Sequence, residues 1–169
     1  YTYAVQRTAD NNITAGTSPT CVSPNGYVTR GQAAAFMWPM EGSPSAPVHP
    51  FNDVSRSWQQ DPVSWMYANA ITSGTTSLTY SPKDTLTRGQ LAALLFRLSC
   101  NPAGSPAHSF NDVVRPWQQD AISWISDQGI TTGTTSLTFS PEGTVTRGQV
   151  ATFFYRYKSK PAVTVDASS

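Results

Sequence analysis

Three arginines have the sequence context of an anion-binding site. Arg30, Arg88 and Arg147 each follow a threonine and precede Gly-Gln in the motif Thr-Arg-Gly-Gln. The Thr and the Gln three positions later have the spacing of a capping box, so each arginine is predicted in the first turn of a helix. A cation is unfavourable at that positive end by about 0.3–1 kcal/mol, and each guanidinium therefore needs a partner.

Two kinds of partner fit this position of the arginines. In the first, the helix amides and the guanidinium together bind an anionic ligand such as a carboxylate. In the second, each arginine pairs with a carbonyl or an acidic residue of a neighbouring segment, Asp53 and Asp112 being candidates. The glycine after each arginine indicates close approach of a ligand or of packed groups, at Gly31, Gly89 and Gly148. Both alternatives remain open.

Four tryptophans form two matched pairs that could contact sugar rings. Trp58 and Trp65 recur 59 residues later as Trp117 and Trp124. Aromatic faces beside a polar groove suit carbohydrate rings, whereas tryptophan is more often a large packing residue. Packing is therefore the favoured role, and one member of each pair remains a candidate for lining a groove.

No residues have the arrangement that catalysis or metal binding requires. His49 and His108 occupy equivalent positions in proline-containing linkers, and no nucleophile elbow, phosphate loop or zinc-binding histidine pair is present. The Asp of Phe-Asn-Asp-Val is more typical of a turn cap than of a calcium loop. We predict no enzyme activity, no metal and no cofactor. The cysteines permit one disulfide, Cys21–Cys100.

These residues recur because the chain contains three copies of one unit. Phe-Asn-Asp-Val begins at Phe51 and again at Phe110, and an Ile-Thr-x-Gly run occurs in all three copies. The first copy lacks the Phe-Asn-Asp-Val opening, and the predicted disulfide would tie it to the second. The three copies and a final polar tail are predicted at residues 1–41, 51–99, 110–158 and 159–169.

Each copy is predicted to consist of two helices joined by a loop. In copy two, Asp61 is the expected N-cap of the first helix, with Pro62 at its first helical position. The second helix begins at the capping box, and Pro39 is expected to end that helix early in copy one. The loop is expected to insert Leu78 and Tyr80 between helices. Because such short helices cannot bury their apolar stripes alone, the copies are predicted to share one core and form one domain.

Charge and length limit the partners of the chain. Its 169 residues carry 11 Lys and Arg against 10 Asp and Glu, which gives a net charge of +1. Because the basic residues form no cluster, nucleic-acid binding is not expected. The absence of a long apolar run argues against membrane insertion, and the start at Tyr1 without a signal-peptide pattern is typical of a processed, soluble piece of an exported protein.

The order of these motifs resembles that of the S-layer homology modules of exported bacterial proteins. Phe-x-Asp-Val, a Trp, a short helix, Gly-Ile-Thr-x-Gly, an aromatic-x-Pro loop and Val-Thr-Arg-Gly-Gln follow one another over nearly the whole chain. The resemblance implies an all-α, pseudo-threefold spindle with grooves between the copies, which needs no second chain to close. It also implies a non-catalytic module that holds a protein on the bacterial cell wall by binding secondary cell-wall polysaccharide, commonly with pyruvylated sugars.

Two departures from the family pattern bear on the ligand. The family's Thr-Arg-Ala-Glu is Thr-Arg-Gly-Gln here, which removes a carboxylate from every copy, and copy one lacks its opening. A protein-interaction or assembly module, or a secreted effector on the same scaffold, is therefore the alternative function. The residues predicted to bind ligand are Arg30, Arg88, Arg147, Gly89, Gly148, Trp58, Trp117, Trp65 and Trp124.

Overall fold

Helices provide the regular structure of the chain, of which a computed structural model describes residues 23–159. The helices of this range are α1 Arg30–Met40, α2 Ser57–Ala68, α3 Arg88–Leu98, α4 Pro116–Asp127 and α5 Arg147–Lys158. In the same range the only β-structure is a set of isolated bridges. The helix α1 is the second helix of copy one, while α2 and α3 form copy two and α4 and α5 form copy three. The predicted all-α class is confirmed.

The second helix of each copy begins where its sequence predicts. Thr29 Oγ1 accepts a hydrogen bond from the Gln32 amide at 3.3 Å, and the Gln32 side chain accepts one from the Thr29 amide at 3.0 Å. The same reciprocal capping box forms at the starts of α3 and α5. Two amides that a helix end leaves unpaired are thus satisfied within four residues, which fixes the helix start.

The first helices begin earlier than their sequence predicts. The helix α2 starts at Ser57 and runs through Pro62, so the expected N-cap at Asp61 is wrong. Arg56 precedes the helix without a side-chain cap, and its carbonyl instead accepts the amide three residues later at 3.0 Å. Pro62 is the sixth of the twelve residues of α2, and its missing amide removes one i→i−4 bond. In copy three Pro116 occupies the first helical position, which the fixed φ of proline favours.

Two further expectations are also wrong. The helix α1 has 11 residues, as α3 has, because Pro39 lies in its last turn and interrupts little of the hydrogen bonding. Leu78 is 55% exposed rather than inserted between helices, because it lies in a tight turn closed by hydrogen bonds to the Thr79 carbonyl. Tyr80, the other loop residue predicted to be inserted, is buried in the core.

A closed ring of hydrogen bonds joins the three copies at their centre. The Val28 amide donates to the Val145 carbonyl at 3.0 Å, the Val145 amide to the Leu86 carbonyl at 2.9 Å, and the Leu86 amide to the Val28 carbonyl at 2.8 Å. All three side chains are fully buried. Because each copy donates to one neighbour and accepts from the other, the ring closes with pseudo-threefold symmetry, as predicted.

The helices pack in pairs that join adjacent copies. The helix α1 packs against α2, and α3 packs against α4, so the second helix of one copy contacts the first helix of the next. Side chains from all five described helices enter one buried apolar cluster. The N-termini of α1 and α3 therefore lie at junctions between copies. The predicted domain limits at 1 and 169 lie outside the described residues and stay a prediction.

Candidate ligand-binding grooves between the copies

Arg30 and Arg88 are buried inside the junctions, at 9% and 6% exposure. The Arg30 Nε donates to the Tyr80 carbonyl at 2.8 Å, and the Arg88 Nε donates to the Phe139 carbonyl at 2.7 Å. Each guanidinium also lies over the ring of that same aromatic residue, 4.8 and 4.6 Å from the ring centroid. These contacts correspond to the internal-pairing alternative, with a carbonyl of the next copy as the acceptor.

The helix amides that could have bound an anion already have partners. The Arg30 and Gly31 amides donate to the carbonyls of Asp84 and Pro82 at 2.8 and 3.0 Å, and the first two amides of α3 make the equivalent bonds to copy three. Carbonyl oxygens of the next copy thus occupy the positive end of each helix. At Arg30 and Arg88 the amides of the predicted anion site are therefore bonded within the protein, and ligand binding by these two arginines stays a prediction.

Tyr80 adds a bond that only one of these two junctions has. Its hydroxyl donates to the Arg30 carbonyl at 3.0 Å. Burial raises the pKa of Tyr80 to about 12, an effect that the nearby Arg30 charge partly opposes. The hydroxyl therefore stays protonated at neutral pH and can act as a donor. Phe139 takes the same place in copy three and has no hydroxyl.

Arg147 occupies the third junction, where copy three meets copy one. The Arg147 amide donates to the Gly26 carbonyl at 2.8 Å, and the Gly148 amide donates to the Pro24 carbonyl at 3.0 Å. The guanidinium lies over the Phe36 ring of α1, 5.3 Å from its centroid. Desolvation lowers the pKa of Arg147. Its side chain is half-buried, which makes it the least buried of the three arginines.

Asp53 and Asp112, the candidate partners of the arginines, hold the loop of their own copy. The Asp53 carboxylate accepts the Tyr80 and Ser81 amides, both at 2.8 Å. The Asp112 carboxylate accepts the two equivalent amides of copy three at 2.8 and 2.7 Å. Each aspartate thereby fixes the aromatic residue against which an arginine packs.

Gly31 and Gly89 make room for a glutamine of the next copy. The side-chain amides of Gln59 and Gln118 occupy the places where a Cβ would stand on these two glycines. The close approach that the glycines predicted is therefore made by a buried side chain. Sequence reasoning missed both glutamines as packing residues, although the identical Trp-Gln-Gln-Asp runs of copies two and three were a signal.

The paired tryptophans divide into buried and exposed members. Trp65 and Trp124 are 4% and 6% exposed and belong to the core. Trp58 and Trp117, at the starts of α2 and α4, are each 48% exposed. Trp58 lines a groove. This is the position that the sequence left open for one tryptophan of each pair.

The groove between copies one and two, called groove one–two, is a cavity of about 350 Å³. Trp58 lines it together with Thr29, Gln32, Arg56 and Lys83. Arg56 and Lys83 are exposed, and neither takes part in the salt bridges found between residues 23 and 159. Groove one–two is therefore aromatic and cationic. Neither basic residue was among the predicted ligand-binding residues, although Arg56 recurs as Arg115 in copy three, whereas Lys83 does not recur.

The equivalent surface between copies two and three is called groove two–three. It has the same arginine and tryptophan but differs in the charge of one residue. Arg115 and Trp117 stand where groove one–two has Arg56 and Trp58, but Glu142 replaces Lys83. The Arg115 Nε and the Glu142 Oε1 form a salt bridge at 2.9 Å. The two charges on this rim therefore neutralise each other.

A second cavity lies away from the grooves. It measures about 630 Å³ and is lined by Phe96 at the end of α3, by the following linker and by Asp120 and Ser123 of α4. In copy one Trp38 stands in place of Phe96, and its indole nitrogen donates to the Pro44 carbonyl at 2.9 Å. The smaller Phe96 ring, with no such donor, leaves the second linker without this contact.

The predicted disulfide involves a residue that the structure does not describe. Cys100 is exposed and forms no disulfide with another described residue, while Cys21 lies outside the described residues. The Cys21–Cys100 bond therefore stays a prediction.

Comparison with known proteins agrees with this arrangement. A family model described as the S-layer homology domain matches residues 1–34, 50–92 and 109–151, one segment in each copy. An endoglucanase from Bacillus sp. (strain KSM-635) is 33% identical over 108 residues, which are 63% of this chain and 11% of that protein. No helix within residues 23–159 has the length and apolar character needed to cross a membrane. The chain belongs to the S-layer homology domain family, whose members anchor proteins at the bacterial cell surface.

Proposed function

We propose that this chain is a non-catalytic module that holds an exported protein on the cell wall by binding wall polysaccharide in its inter-copy grooves. The observation that carries the proposal is the exposure of Trp58, which lines groove one–two, and of Trp117 at the equivalent position of copy three, at 48% each. Their buried counterparts account for packing, so the exposed indoles are available to stack on sugar rings.

Polar groups beside the exposed indoles support a saccharide as the ligand. Gln32 uses its side-chain oxygen in the capping box, which leaves its NH₂ group as a donor in groove one–two. Arg56 and Lys83 add cationic donors on the same rim. Donors around an aromatic face match the hydroxyls and carboxylates of an anionic glycan, as wall polysaccharides with pyruvylated or other acidic sugars would present. The proposed site thus uses Trp58 and Trp117 in place of Arg30, Arg88 and Gly89.

The ring of hydrogen bonds at the centre supports a monomeric module. Val28, Leu86 and Val145 satisfy one another within one chain, so a second chain is not needed to complete the core. The endoglucanase relative is far longer than the matched segment. We therefore place the role of this chain in attachment, and any catalysis in a protein to which such a module is joined.

Sedimentation with purified wall polysaccharide tests the proposal. Trp58→Ala and Trp117→Ala should each lower the affinity roughly 5–150-fold, since removing a stacking aromatic costs about 1–3 kcal/mol. The double variant should bind less than either single variant. Leu137→Ala is the matched control, because Leu137 is 56% exposed and does not line groove one–two. Retention of the double variant at the wild-type level would refute groove binding. Binding to a protein component instead of the glycan would favour an assembly module.

A further inference from the structure

The two grooves have the same frame but carry different chemical groups on their rims. Groove one–two is lined by Ser55 and Lys83, and the equivalent positions between copies two and three are Val114 and Glu142. A polar group of the first groove is thus replaced by an apolar group in the second, and a cation is replaced by an anion. These two changes bear on which part of a ligand each groove can bind.

Groove one–two presents two cations to a ligand. Arg56 and Lys83 are both exposed, and no salt bridge between described residues includes either. Asp84, the adjacent acidic residue, is not among the residues that line the groove, and its backbone carbonyl accepts the Arg30 amide at 2.8 Å. A carboxylate or phosphate placed against Trp58 would therefore meet two cations that take part in none of the salt bridges between described residues.

Groove two–three offers no such charge. The Arg115–Glu142 salt bridge has side chains that are 56% and 60% exposed, and the Gln118 side-chain amide also donates to the same Glu142 oxygen at 3.3 Å. An anionic ligand would have to displace Glu142 or lie beside it. Val114, at 79% exposure, stands on the same rim and offers an apolar surface near Trp117.

We propose that the grooves divide the recognition of one polysaccharide, with the anionic sugar in groove one–two and an uncharged sugar bearing an apolar substituent in groove two–three. This inference rests on the proposed function. The residue that determines the difference is Lys83 in one groove and Glu142 in the other. This can be tested by exchange, in which each of these two residues is replaced by the residue found at the equivalent position of the other groove.

The indole N–H resonances of Trp58 and Trp117 report each groove separately, once assigned with Trp58→Phe and Trp117→Phe. Titration uses wall-polysaccharide fragments with their acidic groups intact and the same fragments with the carboxyls reduced to alcohols. Intact fragments should shift the Trp58 resonance, with an affinity that falls as salt is raised. Reduced fragments should shift the Trp117 resonance, with little dependence on salt.

Exchange of the rim charge should move the preference from one groove to the other. Lys83→Glu supplies the partner that Arg56 lacks, and it should weaken the Trp58 response to intact fragments about tenfold. Glu142→Lys frees Arg115 and should give the Trp117 resonance a new response to intact fragments. Glu142→Gln is the control, because it removes the anion without adding a cation and should give a smaller gain.

The outcomes separate this inference from the proposed function. If both resonances respond equally to both kinds of fragment and neither exchange changes them, the grooves bind the glycan without dividing it. If neither resonance responds to either fragment, groove binding itself fails. If Lys83→Glu leaves the Trp58 response unchanged, the assignment of the anionic sugar to groove one–two is wrong.

Discussion

The junction of copies one and two and that of copies two and three are alike inside and different at the rim. Inside, Arg30 and Arg88 donate to the equivalent carbonyl of the next copy and lie over the equivalent ring. At the rim, Lys83 of one junction is Glu142 of the other. The interior is constrained by the contacts that join the copies, whereas the rim is free to differ because it contributes little to those contacts. At Arg30 and Arg88, recurrence therefore marked contacts between copies, whereas the charges that differ lie on the surface that we propose as the ligand site.

The largest effect on the free energy of unfolding is expected at Arg88, inside the junction of copies two and three. Arg88→Ala removes the bond to the Phe139 carbonyl, leaves that carbonyl without this donor and opens space over the ring. The free energy of unfolding should fall by about 3 kcal/mol, in the range for loss of a buried charged donor. Urea unfolding followed by helical circular dichroism measures it.

Arg115→Ala is the matched control for this change, because Arg115 is exposed on the rim. Its effect should stay within about 0.5 kcal/mol, as for most surface substitutions. If the Arg88→Ala protein is as stable as the wild type but no longer binds wall polysaccharide, Arg88 contacts the ligand and does not mainly hold the copies together.

A smaller loss of stability is expected from a substitution at Gly89, which also lies inside this junction. Alanine is intrinsically better in a helix by about 1 kcal/mol, but its Cβ would overlap the Gln118 amide and lie 3.1 Å from the Pro141 carbonyl. Overpacking of this kind costs about 1–3 kcal/mol, so Gly89→Ala should be destabilising by roughly 1 kcal/mol. In a Gln118→Ser background the clash is relieved and the same change should become neutral or stabilising. A stabilising effect of Gly89→Ala alone would show that Gln118 moves aside freely.

Local signals in the sequence predicted the parts of the fold that depend on a few adjacent residues. The capping boxes at Thr29, Thr87 and Thr146 formed because the Thr and Gln that make them lie within one helical turn. The same kind of signal at Asp61 and Pro62 was misleading, since both residues lie inside α2. There the packing of α2 against α1 extends the helix beyond its local start signal.

The role of the arginines could not be decided from sequence, because it depends on which group of another copy reaches them. The motif showed that Arg88 needs a partner at a helix N-terminus, but only the fold brings the Phe139 carbonyl to it, 51 positions along the chain. Likewise, the paired tryptophans look alike in sequence. Exposure separates Trp117, the second residue of α4, from Trp124, which lies seven residues further along the same helix and packs in the core.

The smallest effect on stability is expected at the rim, where the two junctions differ. Glu142→Lys breaks a salt bridge whose partners are both more than half exposed, and such pairs contribute about 0–1 kcal/mol. Lys83→Glu creates the equivalent pair and should change stability by a similarly small amount in the opposite direction, with both effects reduced at high salt. Urea midpoints at low and high ionic strength measure these changes. A loss above about 2 kcal/mol for Glu142→Lys would exceed what a surface pair can supply and would place the rim among the contacts that hold the copies together. A change near zero, with the ligand preference altered, would instead mean that charge on the rim can vary without disturbing the buried frame.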